Sequence, residues 1–142
     1  MIQLRIDRTL PATPPRVWPA FTDPAALAAW FWPAEYDTSV DLDARPGGVF
    51  RVSAPDAPGG GLALAGTFRA VRPPHHLALT WRWDGDDEQT LVTIDLTGVG
   101  DGTALVLTQE GFDSEASRDN HVTGWTDCLD RLPTWLASTS AH

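Results

Sequence analysis

The chain has 142 residues, 42% hydrophobic and 20% charged. That is the balance of an ordinary globular domain, and a single domain of this length hides roughly 70% of its unfolded surface without staples. The ten basic residues are all Arg and the formal net charge is −9, which speaks against nucleic acid or an anionic membrane as partner and removes any Schiff-base or P-loop lysine.

Cys128 stands alone, so no internal disulfide forms and a reducing, cytoplasmic location is the expectation. The opening MIQLRIDRTLP lacks the uninterrupted apolar stretch of a secretory leader. Nothing approaches the ~20 apolar residues of a membrane span.

Ile2, Leu4 and Ile6 alternate with polar neighbours as far as Leu10, the period of a half-buried strand. Arg8 shares the parity of that apolar set. Pro14-Pro15 can open a short helix with Val17 and Phe21 on its apolar face, interrupted by Pro19. Thr22 or Asp23 then caps a second short helix through Trp30. From Tyr36 the period becomes two. Strands are expected around Val40 and Leu42, over 49–53, 62–71, 76–83, 91–99 and 103–110, separated by Gly- and Pro-rich turns. The final segment is helical, with Ser114 as its N-cap and Val122, Trp125, Leu129, Leu132 and Leu136 as one stripe. Pro133 predicts a kink or break in that helix, and the tail after Ala137 is expected to fray. One domain over 1–142, with a core of about 2–137, is the reading. An antiparallel sheet has a face to cover, and the last helix is the only element long enough to cover it.

Five words run through the chain in that order. They are Val17-Trp18-x-Ala20-Phe21-Thr22-Asp23-Pro24 with Leu27-x-x-Trp30-Phe31; Arg45-x-Gly47-Gly48-x-Phe50-Arg51; Gly66-x-Phe68 with Pro73-Pro74-x-x-Leu77-x-Leu79-Thr80-Trp81; Gly102-Thr103-x-Leu105-x-Leu107-Thr108-Gln109-x-Gly111-Phe112; and Gly124-Trp125-x-x-x-Leu129-x-x-Leu132. Together they resemble the family named for the C-terminal domain of the activator of heat-shock protein 90 ATPase, within the START-like, birch-allergen-like helix-grip superfamily. The resemblance implies an α+β helix-grip fold: a curved antiparallel sheet of about seven strands around a long C-terminal helix, with two short helices after strand 1. It also implies a cavity for lipids, hormones or polyketides, a possible chaperone partner, and in a minority of members cyclase or dehydratase activity. No cofactor is implied.

Strand parity and the final helix nominate cavity residues: Phe50, Phe68, Trp81, Trp83, Leu107, Gln109, His121, Trp125 and Leu129, with Trp30 and Phe31 near a mouth. The same residues would equally fill a core, since pockets and cores are both apolar. His121 is the one candidate acid or base, against a plain hydrogen-bonded helix histidine. Gln109 would donate or accept inside the cavity. Arg8 would anchor a ligand carboxylate, or else make a salt bridge at the strand end. His75 and His76 are adjacent and point apart, so they form no metal face. The acidic run from Asp84 to Glu88 reads as a solvated turn. Cys128 reads as a small buried residue rather than a nucleophile. The function expected is non-catalytic binding of a small hydrophobic or amphipathic molecule in a cavity between the sheet and the C-terminal helix, the alternatives being a chaperone-interacting module and a cyclase- or dehydratase-type enzyme using His121.

Overall fold

The computed structural model describes residues 2–139. Strand β1 (Ile2–Leu10) is followed by helices α1 (Pro14–Thr22) and α2 (Pro24–Trp30). Strands β2 (Ser39–Leu42), β3 (Val49–Ala54), β4 (Leu62–Arg72), β5 (His76–Trp83), β6 (Thr90–Val99) and β7 (Gly102–Phe112) come next, and helix α3 (Glu115–Thr139) is last. All seven strands form one antiparallel sheet in the order β1-β7-β6-β5-β4-β3-β2. This is the helix-grip arrangement. Among the described residues no helix is long and apolar enough to cross a membrane.

Alternation decides which face α3 covers. Ile6, Leu107, Ile94 and Leu77 are successive cross-strand partners, and all are buried. The next inward row runs Leu4, Gln109, Val92, Leu79 and Phe68. Fully burying a Leu, Ile, Val or Phe side chain stabilises by roughly 1.5–3 kcal/mol, so a one-residue slip that turned these rows outward would forfeit most of the core.

Two glycines shape the sheet. Gly111 adopts φ +97°, a conformation glycine reaches without strain. Ile2 pairs with Phe112 and Gln3 with Glu110, so Gly111 is a bulge that the ladder skips. The bulge shifts the parity, and both Gln109 and Phe112 end up buried. Gly66 pairs with Phe50, and a Cβ built on it would lie 1.8 Å from the Thr80 carbonyl oxygen. With no side chain there, Phe50 and Trp81 meet across it, ring centroids 5.8 Å apart.

The helices begin where their residues satisfy the first amides. Asp23 accepts from the Ala25 amide at 3.1 Å to cap α2, and Ser114 accepts from the Ser117 amide at 3.1 Å to cap α3. The acidic turn departs from the solvated reading at one residue. Glu88 is buried, and its carboxylate accepts from the Asp113 amide (2.7 Å) and the Ser117 hydroxyl (2.6 Å). It ties the β5–β6 loop to the start of α3, where the helix dipole favours a negative charge.

Helix α3 differs from expectation in three places. It runs unbroken through Pro133. It continues past Ala137 to Thr139, and residues 140–142 of the expected frayed tail lie outside the described residues. Its buried stripe is Trp125, Cys128, Leu129, Leu132 and Leu136, while Val122 is exposed. His121, one turn before Trp125, takes the place expected for Val122.

Candidate functional site

The concave side of the sheet is mostly filled. Beneath the middle of α3 lies a void of about 20 Å³, lined by Phe31, Phe50, Trp81 and Trp125 among others. That is room for about one water, and an apolar void of this kind stays dry. The usable space lies to one side, against the first half of α3. There a cleft of about 360 Å³ opens between α3, the segment after α2, and the ends of β4 and β5.

Aromatic side chains make the walls. Phe31, Trp32, Tyr36, Trp81, Trp83 and Trp125 line the cleft, with Pro33 and Leu62 between them. Trp32 and Trp83 stack with centroids 6.2 Å apart and planes 20° from parallel. Trp81 and Trp125 lie 5.1 Å apart, and Phe31 contacts Trp32, Trp81 and Trp125 at 5.3, 6.0 and 5.9 Å. Helix α3 contributes His121, Trp125 and Cys128 to the wall, with Asn120, Gly124 and Asp127 as an exposed rim. Arg131 completes the lining and is half-buried.

Hydrogen bonds hold the walls in place. Trp125 donates from Nε1 to Gln109 Oε1 at 2.8 Å, and Gln109 donates from Nε2 to Thr90 Oγ1 at 2.7 Å. Thr90 in turn donates to the Trp81 carbonyl at 3.3 Å. Trp83 donates from Nε1 to His121 Nε2 at 2.9 Å. An indole nitrogen only donates, so His121 Nε2 is the acceptor and the ring proton sits on Nδ1, which donates to the Ser117 carbonyl at 2.8 Å. Both nitrogens of His121 are therefore committed. Arg131 donates from Nε to the Trp30 carbonyl (3.1 Å) and from Nη2 to the Phe31 carbonyl (2.7 Å), pinning the end of α2 against α3. Burial pushes the Cys128 thiol up to about 12; Arg131 acts against this, and Asp127 adds a smaller push. The Trp81 indole nitrogen is buried without a partner among the described residues.

Of the twelve residues nominated from sequence, Phe31, Trp81, Trp83, His121 and Trp125 come together around the cleft. Phe50 reaches only the small void. Trp30 is buried between the helices, with Nε1 donating to the Ala20 carbonyl at 3.0 Å and its ring edge-on to Phe21. Phe68 packs against Phe50, and Leu107 and Leu129 are fully buried in the core. Gln109 does not line the cleft, because Trp125 and Thr90 take its amide. Arg8 lies elsewhere along α3: Nη1 donates to the Asp7 carbonyl and Nη2 sits 3.9 Å from Asp130. Sequence reading missed Trp32, Tyr36, Leu62, Gly124 and Arg131. The spacing 121, 124, 125, 128, 131 is a helical face and was available as a signal. Tyr36 and Leu62 arrive by loop closure, which leaves no periodic mark.

His75 and His76 are spent on Leu96 and Asp95, at 3.0 and 2.6 Å. No cluster of three or more metal-ligating side chains exists among the described residues.

A seven-stranded sheet wrapped on a terminal helix, with an aromatic cleft at the helix's first half, defines a helix-grip protein. The chain belongs to the family described as Activator of Hsp90 ATPase homolog 1-like protein, which matches residues 11–137. Among solved structures it is similar to protein CV1439 from Chromobacterium violaceum, at 30% identity and a TM-score of 0.84 over 94% of this chain and 96% of that one. Protein MLL2253 from Mesorhizobium loti shares 26% identity with a TM-score of 0.82, covering 97% and 98% of the two chains. CalU16 from Micromonospora echinospora shares 27% with a TM-score of 0.74, covering 98% and 78%. No curated protein matches the chain.

Proposed function

We propose that this protein binds a small hydrophobic or amphipathic molecule in the cleft and does not itself transform it. The observation that carries this reading is the cleft of about 360 Å³ walled by Phe31, Trp32, Tyr36, Trp81, Trp83 and Trp125. Its size falls in the range of small-molecule sites, and its composition, aromatic walls with a few polar groups, is theirs too. The non-catalytic half of the reading draws on His121, whose ring nitrogens are both taken by protein partners, and on Cys128, held as a neutral thiol by burial. A chaperone-contact reading draws only on the family name. The large exposed apolar residues among those described, Val49, Val99 and Val122, sit on three different elements, and scattered single residues of this kind are ordinary.

Gly124 supplies the test. It lines the cleft, and a Cβ built there meets nothing within 4 Å, so Gly124→Leu adds bulk to the cleft and spares the core. A thermal-shift screen over fatty acids, neutral aromatics, aromatic acids and aromatic amines is expected to give at least one stabiliser, since a ligand at a hundred times its Kd adds about 2.7 kcal/mol. The Gly124→Leu variant is expected to keep its fold and lose that shift. A panel that never moves the Tm, or a shift that survives Gly124→Leu, contradicts the proposal.

A further inference from the structure

Among the groups that line the cleft, one is a cation with donors to spare. Most arginines of the chain face a carboxylate: Arg5 with Asp7, Arg8 with Asp130, Arg45 with Asp43, Arg51 with Asp84, Arg82 with Asp87, and Arg118 with Asp119. Arg131 has none among the described residues, yet it is half-buried in the wall of the aromatic cleft. A guanidinium carries five N–H donors. Arg131 spends one from Nε on the Trp30 carbonyl and one from Nη2 on the Phe31 carbonyl, both fixed backbone groups at the end of α2. The other Nη2 donor reaches the Cys128 sulfur, at 3.7 Å, and Nη1 has no partner among the described residues. Nη1 and the Nη2 donor now on the weakly accepting thiol form the end-on edge of the fork, which matches the two oxygens of a carboxylate once the Cys128 contact is given up.

We infer that the cleft selects amphipathic acids, with an aromatic or apolar body against the tryptophan wall and a carboxylate paired to Arg131. The inference deepens the binding function proposed above and rests on it. The two backbone contacts hold the guanidinium still before the ligand arrives, so little side-chain entropy is lost on pairing. The rim carboxylate Asp127 is exposed, so solvent screens it. Solvent and salt likewise weaken the exposed carboxylates that make up much of the net charge of −9. At Arg131 the acid meets a local positive charge that has no competing carboxylate within ion-pair distance among the described residues.

Three probes of one shape test this by isothermal titration calorimetry at physiological ionic strength: 1-naphthaleneacetic acid, its amide, and 1-naphthalenemethylamine. The acid is expected to bind at least about tenfold more tightly than the amide, with the amine weakest. In Arg131→Gln the advantage of acid over amide is expected to vanish, whatever affinity the two probes lose in common. The acid–amide comparison on the unaltered protein is decisive by itself, so a variant that fails to fold does not block the test. Arg131→Lys, which keeps the charge but not the fork, is expected to retain part of the preference. If acid and amide bind equally, or the amine binds best, the Arg131 inference is overturned and the cleft remains a binding site. If none of the three binds, the inference is overturned, and the panel in the preceding section then decides whether the binding reading falls with it.

Discussion

At residue scale, Gln109 shows how a polar side chain in an apolar row is put to use. It lies fully buried between Leu4 and Val92 on neighbouring strands, a position that costs stability unless every donor and acceptor is met. Trp125 donates to its oxygen and Thr90 accepts from its nitrogen. Gln109→Leu keeps the volume but leaves the Trp125 indole unpaired, and should lower unfolding free energy by about 1–3 kcal/mol in urea denaturation. A loss under half of that would mean the Trp125 contact contributes little. Cys128 gives a second prediction. Because its thiol is pushed up to about 12 from an ordinary 9.0, it stays protonated at pH 8, and the thiolate is the reactive form. Ellman's reagent should leave the folded protein untouched at pH 8 and react fully once guanidinium unfolds it. The linkage follows the raised value: the protonated thiol favours the folded state below about pH 9, and that contribution fades as pH rises from there towards 12.

At the scale of elements, α3 was legible as a helix but not in its facing. Apolar character selected Val122 for the stripe, whereas Val122 is exposed and the half-buried residue one turn before Trp125 is His121. A histidine paired by its neighbours on both nitrogens packs as well as an apolar residue, and hydrophobicity alone cannot see those neighbours. Pro133 likewise looked like a stop. The helix carries through it, and Leu132 and Leu136 on either side are buried, so packing outweighs the lost amide. Gly124 has no such packing reason to be glycine, since its Cβ direction is open. Gly124→Ala should raise stability by about 0.5–1 kcal/mol through backbone entropy, read from the same urea titration. A destabilised Gly124→Ala would mean that the helix surface there is not free.

At the scale of the whole molecule, period-two runs and glycine-proline turns gave the strands, because alternation and turn chemistry are local properties of the chain. The position of the open space was not local. Inward parity nominated Phe68, Leu107 and Leu129 as readily as Trp81, and only the packing of α3 against the strands separates a filled interior from a cleft at its side. The Arg8 expectation failed to reach the cleft for the same reason: parity gives the face of a strand, not the place along it where a helix crosses. Four of the seven tryptophans, Trp32, Trp81, Trp83 and Trp125, line that cleft, while Trp18, Trp30 and Trp135 do not. Fluorine NMR of protein labelled with 5-fluorotryptophan, assigned by single Trp→Phe variants and titrated with 1-naphthaleneacetic acid, reads all seven at once. The account predicts that the resonances of Trp32, Trp81, Trp83 and Trp125 move together with one saturating affinity while the other three stay still. Movement confined to Trp18 or Trp135 would contradict it.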